Sequence, residues 1–544
     1  MFAALVTLHA PLLRLPFIWD EAGYYIPAAH DLFLTGSLIP QSTVSNAHPP
    51  LVLAWLALCW KVFGYSPLVA RTAMLAVAAF TLTGLYRLAE RANNRSVAIG
   101  TVLLTALYPV FFAQSSLAHM DLAVAGLTFW ALHAYLDDRR WPTFFWFALA
   151  ALAKETAILA PFALAGWECA GYLFRSGNWR KLRLFSEQNF ARIAMLVATV
   201  TPLALWFGYH YSKMGFVFGN PEFFRYNVQA TAHPVRIVFA LLGRLWQTFV
   251  YMGLWAVTVV AVHAMSRPAL PSDMPRSEQE ADSDARPRIP IPIQTTFAVV
   301  ILAYVGALSV IGGAVLARYM LPVVPLVIMI AVSTFWRRLV LWKWVVGALA
   351  GLFVLTWFWN PLYTFPFEDN LAYKDYVQLH QAGARYLEAR YPQARVLTAW
   401  PASDELNRPW LGYVHQPMQL VRIENFSLEP VQAAATSSTP YDVALVFSTK
   451  YEPAFNVASW PPWVRLRTRF FDYHRDLPPE VIAQILGARI VMQEHRGAQW
   501  IAVLVVGRPV DAELRHRFGE NAALRSHEMA GVGFYYQPNI STVD

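Results

Sequence analysis

The chain has 544 residues, of which 56% are hydrophobic and 14% are charged, and its mean hydropathy is +0.36. Soluble domains carry about 25% charged residues, so this composition excludes an ordinary soluble protein and indicates a chain that uses lipid as solvent. The net charge of +8 lies in the apolar part, because residues 1–366 hold 26 Lys and Arg against 16 Asp and Glu, whereas residues 367–544 hold 17 against 19. No basic-aromatic array points to nucleic acid, and two cysteines without zinc spacing exclude a disulfide framework.

Apolar runs of about spanning length recur from the N-terminus to Trp359, and the first one lacks the basic start and cleavage site of a signal peptide. We therefore predict a polytopic α-helical membrane protein. The expected spans are about eleven: Phe2–Ile18, Leu68–Leu88, Val97–Phe112, Leu122–Leu136, Phe144–Leu152, Thr156–Phe174, Ile193–Tyr211, Leu245–Met265, Thr296–Leu316, Tyr319–Phe335 and Trp344–Trp359.

The charges of the loops predict an orientation. With the N-terminus in the cytoplasm, the inner loops hold 17 Lys and Arg and the outer loops hold 9. The positive-inside rule favours this arrangement, which places the C-terminus outside a cell inner membrane. Residues of the inner side are Arg87, Arg91, Arg95, Arg139, Arg140, Arg175, Arg180, Lys181, Arg183, Arg192, Arg267, Arg276, Arg286, Arg288, Arg337, Arg338 and Lys343.

Two domains are expected. Residues 1–365 form the membrane domain, with a first outer loop at 19–66 and a flexible, charged inner loop at 266–289. Residues 366–544 form an extracytoplasmic soluble α/β domain. Its predicted helices are Lys374–Arg390 and Pro478–Leu486, and its predicted strands are Arg395–Ala399, Asp442–Ser448 and Trp500–Val506.

Carboxylates near hydrocarbon are expensive and usually functional, and the orientation leaves few of them on the outer side. Asp20 and Glu21 follow the first span directly, and Asp121 opens the fourth span at the same depth. Both aspartates could instead be helix N-caps, Asp20 for a surface helix over Ala22–Leu34. The complete set of outer acids in the membrane part is Asp20, Glu21, Asp31, Asp121, Glu155 and Glu222.

Three basic side chains on the same side have two interpretations each. His48, in the run His48-Pro-Pro-Leu51, is either a ligand-binding group or part of a rigid turn. Lys154 either contacts a substrate or extends to the membrane surface as an isolated lysine does. Arg318 either grips a phosphate or anchors the interface.

The ordered series of first-loop residues resembles the family 39 glycosyltransferases of GT-C architecture, which include the protein O-mannosyltransferases and the aminoarabinose transferases acting on lipid A. The resemblance covers Phe17–Ala160 well and the later spans loosely. His48 is similar to the protein mannosyltransferases, where many bacterial lipid A enzymes have lysine, and the tail resembles no domain of either group. The residues that carry the resemblance are Asp20-Glu-Ala-Gly-Tyr24, Gly36, Pro40, His48-Pro-Pro-Leu51, Phe63-Gly64, Arg71, Asp121 and Arg318-Tyr-x-x-Pro.

The resemblance implies transfer of a monosaccharide from a polyprenyl-phosphate carrier to a hydroxyl of a protein, lipid or glycan, by direct, inverting displacement. It assigns Asp20 as the base that activates the acceptor, Glu21 as a group that positions Asp20 or the acceptor, and Asp121 as a partner of sugar or acceptor hydroxyls. Arg318 and Lys154 are expected to bind the carrier phosphate. Tyr24, His48 and Arg71 complete the expected substrate contacts.

Other classes of function remain open at this point. A transporter or lipid-linked-sugar flippase would also use buried charges, although no internal repeat is visible and the acids gather at one face. A scaffold whose tail binds a partner gives no reason for Asp20, Glu21 and Asp121 at one depth. No cofactor is expected: Glu21, His48, His119 and Asp121 could converge on a metal, but no spacing demands one.

Overall fold

A computed structural model of the chain describes residues 1–176, 187–217, 219, 231–271, 285–453, 456 and 459–507. The predicted outer acid Glu222, several predicted loop charges and most of the inner loop at 266–289 lie outside these residues. The chain forms two compact units. The first is Met1–Gln378 together with Lys450–Tyr473, and the second is Leu379–Thr449 together with the chain from His474.

The first unit is helical throughout the residues described. Short 3-10 helices lie at Ala10–Leu12, Glu155–Ile158, Tyr251–Gly253, Ala317–Met320 and Phe367–Asp369, and a π-helix lies at Glu21–Tyr25. Its α-helices are Phe2–His9, Ile26–Thr35, Leu51–Phe63, Pro67–Ala92, Arg95–Leu107, Pro109–Gln114, Asp121–Leu136, Arg140–Ala153, Leu159–Ser176, Glu187–Ala198, Thr201–Met214, Pro234–Phe249, Leu254–Met265, Ile291–Val310, Val324–Arg338, Trp342–Phe358 and Pro461–Phe471, and the helix Ala372–Arg390 begins in this unit.

Among the described residues, four helical segments are long and apolar enough to cross a membrane. They are Pro67–Ala92, Phe190–Met214, Pro234–Met265 and Ile291–Val310. Five shorter apolar helices accompany them: Phe2–Leu12, Leu51–Phe63, Arg95–Leu107, Asp121–Leu136 and Trp342–Phe358. The chain is therefore a multi-pass membrane protein, and the number of eleven spans stays a prediction.

Several predicted spans have different bounds in the structure. The expected span Val97–Phe112 is divided at Tyr108, because Pro109 starts a new short helix. Thr296–Leu316 ends early, since the helix stops at Val310 and an irregular segment follows.

The helices Pro67–Ala92 and Asp121–Leu136 approach each other closely. A Cβ atom at Gly126 would lie 3.0 Å from the Cα atom of Thr81, so glycine is required at this crossing. The Thr81 hydroxyl donates a hydrogen bond to the carbonyl of Leu122, at 3.1 Å. Small residues that let backbones meet in this way are typical of packed membrane helices. The contact fixes the start of the helix that carries Asp121.

The second unit contains a mixed sheet of five strands in the order β2-β1-β3-β5-β4. The strands are β1 Arg395–Ala399, β2 Gln419–Ile423, β3 Val443–Phe447, β4 Ala488–Arg496 and β5 Gln499–Val506. β1 pairs in parallel with β2 and β3, whereas β5 runs antiparallel to β3 and β4. Among the described residues, the unit also contains the α-helices Ala402–Asn407, Leu428–Thr436 and Pro479–Leu486, the 3-10 helix Pro409–Leu411 and the end of the helix Ala372–Arg390.

The predicted elements of the tail are confirmed, but others are missing from the prediction. Both predicted helices are present, as Ala372–Arg390 and Pro479–Leu486, and the three predicted strands correspond to β1, β3 and β5. Sequence analysis missed β2 and β4. Lys450–Tyr473 returns to the first unit, and the first unit continues past residue 365 to Gln378. This division brings Glu368 into the membrane unit.

Candidate active site

The segment after the first helix positions Asp20 by an unusual backbone. Trp19 has a positive φ of 51°, and a π-helix over Glu21–Tyr25 leads into the α-helix Ile26–Thr35. Asp20 stands at the N-terminus of the π-helix, but its side chain makes no capping hydrogen bond. The capping alternative for Asp20 is therefore wrong. π-Helical turns are frequent at functional sites, and this one leaves the Asp20 carboxylate for a tertiary contact.

Glu21 and Arg71 form a closed, fully buried ion pair. The Arg71 guanidinium donates to Oε1 and Oε2 of Glu21 at 2.6 and 2.9 Å, and to the carbonyls of Ser116 and Pro16 at 2.9 and 2.7 Å. Glu21 also accepts from the backbone N–H of Ala118, at 2.5 Å. Glu21 and Arg71 are 0% and 1% exposed. This geometry joins three chain segments and favours a positioning role over the predicted contact of Arg71 with substrate.

Arg318 is the centre of the site. It lies in the 3-10 helix Ala317–Met320 and is 1% exposed. One terminal nitrogen donates to Oδ2 of Asp20, and the other donates to Oε1 of Glu368 at 2.6 Å. Its Nε lies 3.5 Å from Oδ2 of Asp121. A single buried guanidinium therefore gathers three carboxylates from three distant parts of the chain.

Lys154 supplies the second buried cation. Its Nζ donates to Oδ1 of Asp121 at 2.7 Å and lies 4.0 Å from the centre of the Tyr319 ring. Lys154 is 4% exposed, so the interpretation as a lysine that extends to the membrane surface is wrong. Asp121 is the first residue of its helix, whose cap position is Met120, so the capping alternative for Asp121 is wrong as well. Both side chains face the same buried cluster.

A second acid–base contact lies beside this cluster. Nδ1 of His48 is 3.1 Å from Oε2 of Glu155, and the His48 ring lies 5.9 Å from that of Tyr25. A cavity of about 30 Å³ opens here, lined by residues that include Tyr24, Tyr25, His48 and Met120. Tyr24 and His48, which the sequence assigns to substrate contacts, thus share one cavity wall.

Two functional side chains escape the sequence analysis as members of the site. Glu368 follows the last apolar helix by ten residues, in a stretch assigned to the soluble tail. His119 enters that analysis only as a possible metal ligand. In the structure its Nδ1 contacts Oε1 of Gln114 at 2.7 Å, and its Nε2 lies 3.1 Å from a terminal nitrogen of Arg318. The one available signal for Glu368 is the acidic pair Glu368-Asp369 directly after the membrane part.

Burial and neighbouring charges shift the acids of this region in opposite directions. Burial raises the pKa of Glu368, against the opposing effect of Arg318. Burial also raises the pKa of Asp369 to about 7, although the Tyr251 hydroxyl donates to its Oδ2 at 2.5 Å. Burial alone would raise the pKa of Glu155, but His48 and Lys154 lower it to about 2. The site therefore combines one carboxyl whose pKa is lowered with two carboxyls whose pKa is raised by burial.

Within the described ranges, no cluster of three or more His, Cys, Asp or Glu side chains has the geometry to hold a metal ion. Of the four side chains that the sequence allows as ligands, Glu21 is paired with Arg71, Asp121 with Lys154 and His48 with Glu155. Glu21 and Asp121 are thus each held by a side-chain cation.

Comparison with known proteins gives a match to a family model over part of the chain. Residues 47–206 match the family model described as dolichyl-phosphate-mannose-protein mannosyltransferase. The matched stretch contains His48, Arg71, Asp121 and Lys154, and it excludes Asp20 and Arg318. No curated protein sequence matches the chain.

Solved structures with a similar chain path include two of ArnT from Cupriavidus metallidurans. The apo form is 13% identical and the form bound to undecaprenyl phosphate is 14% identical; each covers 94% of this chain and 98% of that chain, with a TM-score of 0.49. The archaeal oligosaccharyltransferase AglB from Archaeoglobus fulgidus, in complex with an inhibitory peptide and a dolichol-phosphate, is 10% identical and covers 76% of this chain and 64% of that chain, with a TM-score of 0.40. The family match over residues 47–206 confirms the predicted resemblance of this chain to polyprenyl-phosphate-dependent membrane glycosyltransferases.

Proposed function

We propose that this protein transfers a monosaccharide from a polyprenyl-phosphate carrier to a hydroxyl acceptor at the outer face of an inner membrane. The observation that carries the proposal is the buried Arg318, which holds Asp20 and Glu368 and lies beside the Asp121–Lys154 pair. Family membership of the segment that supplies Asp121 and Lys154 supports it. The transporter alternative draws no support from that family match.

The chemistry of the reaction fits the charges present. Transfer breaks the bond between the sugar C1 and a phosphate oxygen, through a transition state with positive charge on the sugar ring. The leaving group is already an anion, so it requires a fixed cation rather than a proton donor. Arg318 and Lys154 are two cations held in place before the substrate arrives, which is the condition for strong electrostatic stabilisation.

Asp20 is the proposed general base. Its side chain is 21% exposed, whereas those of Asp121 and Glu368 are 4% and 5% exposed. A base must reach the hydroxyl proton of an acceptor that enters from solvent, and Asp20 is the member of the trio with that access. Attack by the acceptor oxygen on C1 of the hexose or pentose, from the face opposite the phosphate, displaces the carrier phosphate directly and inverts the configuration at C1.

The other predicted residues take supporting roles in this proposal. Asp121 orients Lys154 and meets the sugar or acceptor hydroxyls. Tyr24 and His48 line the adjoining cavity and contact the substrate there. Glu21 and Arg71 hold the π-helical turn that presents Asp20, because their pair ties this turn to Pro16 and Ser116. No metal ion or other cofactor is part of the proposed reaction.

The placement of the termini is part of the same proposal. The loop charges favour an N-terminus in the cytoplasm and a site on the outer side. Cysteine labelling with a membrane-impermeant reagent tests it. We expect a cysteine introduced at Val44, which is 57% exposed in the first outer loop, to react in intact cells.

The decisive experiment is the turnover of Asp20→Asn in membranes supplied with polyprenyl-phosphoryl sugars, mannose and aminoarabinose among them. Removing a general base is expected to lower turnover by about 10²- to 10⁴-fold. Asp138→Asn is the matched control, because Asp138 is 71% exposed and lies in a different turn. Near-wild-type turnover of Asp20→Asn at equal expression would remove Asp20 as the base. Absence of donor-dependent labelling by the wild-type protein would contradict the proposed function itself.

A further inference from the structure

The cluster around Arg318 already contains more negative than positive side chains. The carboxylates of Asp20, Asp121 and Glu368 face the cations of Arg318 and Lys154, so three acids meet two bases and the formal sum is −1. Both terminal nitrogens of Arg318 are engaged by carboxylates. A carrier phosphate that contacts the terminal nitrogens of Arg318 therefore meets groups that already donate to carboxylates.

A sugar-linked carrier phosphate is a phosphodiester and brings one further negative charge. Without compensation the buried cluster would then hold −2, which is unfavourable because charge repulsion is strong where water is excluded. Either a carboxylate leaves Arg318 or one of the acids binds a proton. The geometry distinguishes the three acids.

Asp121 is held by Lys154 at 2.7 Å, so a proton on it would break a second ion pair. Asp20 is 21% exposed and keeps contact with solvent. Glu368 is buried, and among the described residues Arg318 is the one cation in its salt bridge. Protonation of Glu368 would release its salt bridge to one terminal nitrogen of Arg318 and break no other salt bridge of the cluster.

We propose that Glu368 is a positioning residue that occupies Arg318 in the empty site and takes up a proton when the carrier phosphate binds. The inference rests on the proposed function, since it concerns the same phosphate site. Glu368 holds the guanidinium in the orientation that also reaches Asp20. The incoming phosphate then replaces the carboxylate on that nitrogen, and the neutral Glu368 remains in place.

The surroundings of Glu368 support proton uptake there and not elsewhere. Burial raises the pKa of this carboxyl, and the nearby acids add to that effect. The titratable or charged groups that act on Glu368 are Arg318, Asp20, Asp369 and Asp121. Tyr25, Tyr319 and His119 act on or contact its partner Arg318. Asp369 is the one that most requires a control, because its pKa is raised to about 7 and it adjoins Glu368 in sequence.

The test measures binding of a polyprenyl-phosphoryl mannose to the purified full-length protein between pH 5.5 and 9. This probe keeps one negative charge over the whole range. The wild-type affinity is expected to fall as the pH rises, by up to about tenfold per pH unit above the pKa of Glu368, because binding then requires a proton from solution. Glu368→Gln is expected to bind more tightly than the wild type at pH 8.5 and to lose the pH dependence.

Controls separate the sources of any effect. Asp369→Asn should keep the wild-type pH dependence if Glu368 is the group that titrates. Polyprenol, which lacks the phosphate, should show no pH dependence. Calorimetry of the wild type in buffers of different ionisation enthalpy gives the number of protons taken up and requires no variant to fold.

Each outcome decides the proposal. A wild-type affinity that does not change with pH, or a Glu368→Gln affinity at pH 8.5 equal to or weaker than that of the wild type, overturns the role of Glu368 alone. Failure of the wild type to bind the probe better than polyprenol at any pH contradicts the phosphate site itself, and with it the proposed function.

Discussion

Variants of the Glu21–Arg71 pair test whether Arg71 contacts substrate, as the sequence resemblance implies, or positions the turn at Asp20, as the geometry favours. Arg71→Met removes a guanidinium that makes four hydrogen bonds, two of them to Glu21. Glu21 is then left as a charge at 0% exposure, with backbone N–H groups of Ile18 and Ala118 as its remaining described partners. Breaking a buried pair in this way destabilises proteins by about 3–5 kcal/mol, so we expect a loss of that size in the free energy of unfolding.

The double variant Arg71→Met/Glu21→Gln is the matched control. It removes both charges, while the amide oxygen of the glutamine still accepts from one of the two N–H groups, Ile18 or Ala118, which donate to different oxygens of Glu21. The loss should therefore shrink to about 1–2 kcal/mol, since an unpaired buried charge is the main source of the penalty. Denaturant-induced unfolding of the detergent-solubilised protein, followed by tryptophan fluorescence, measures all three proteins.

The same variants separate a positioning role from a chemical one. If Glu21 and Arg71 hold the turn, stability and the folded fraction fall in Arg71→Met, and turnover per folded molecule recovers in the double variant. The reasoning is refuted if Arg71→Met keeps wild-type stability and loses turnover, or if the double variant is as unstable as the single one. Either result would return Arg71 to the substrate contacts that the sequence predicts.

Further predictions concern pH, packing and the second cation. In the folded protein the pKa of Asp369 is about 7, above the ordinary 3.8, so the folded state binds more protons than the unfolded state between these values. The stability of the folded state therefore falls as pH rises from 3.8 to 7, by up to about 4 kcal/mol. Asp369→Asn should reduce the difference in thermal midpoint between pH 5 and pH 8. Gly126→Ala should destabilise by about 1–3 kcal/mol because its Cβ would meet the Thr81 backbone, whereas Gly306→Ala, with no atom within 4 Å of its Cβ, should not, and equal midpoints would contradict the packing. Lys154→Gln should raise the donor KM about 10- to 100-fold, as loss of a charge-assisted contact does, and an unchanged KM would exclude Lys154 from phosphate binding.

Local sequence patterns predict the buried strands of the sheet but fail to predict the strands at its two edges. β1, β3 and β5 are inner strands, and their apolar runs are visible in the sequence. The two missed strands, β2 and β4, are the two edges of the sheet. An edge strand packs less of its surface, and Gln419–Ile423 and Ala488–Arg496 accordingly mix charged and polar residues with short apolar stretches.

The site shows a second limit of the same kind. Charge cost and the predicted orientation reduce the candidates to six outer acids, and their shared depth singles out Asp20, Glu21 and Asp121. The partner of each is not encoded locally: Arg318 is 298 residues from Asp20 and 50 residues from Glu368. Glu368 is missed because the sequence boundary of the membrane part is drawn at the last apolar helix, whereas the structure keeps the chain in that unit up to Gln378.

The three carboxylates around Arg318 differ in exposure and in their other partners, and these differences support the different roles proposed for them. All three meet the same guanidinium, so the arginine itself does not decide which one acts as the base. What differs is the second partner: Lys154 for Asp121, burial within the protein for Glu368, and solvent for Asp20. A base must exchange its proton with the surroundings after each turnover, and Asp20 has that path. An acid enclosed by protein suits the balance of charge when an anion enters, and an acid tied to lysine suits the fixing of that lysine. The roles therefore follow from access and pairing, which neither the residue type nor its place in the sequence reveals.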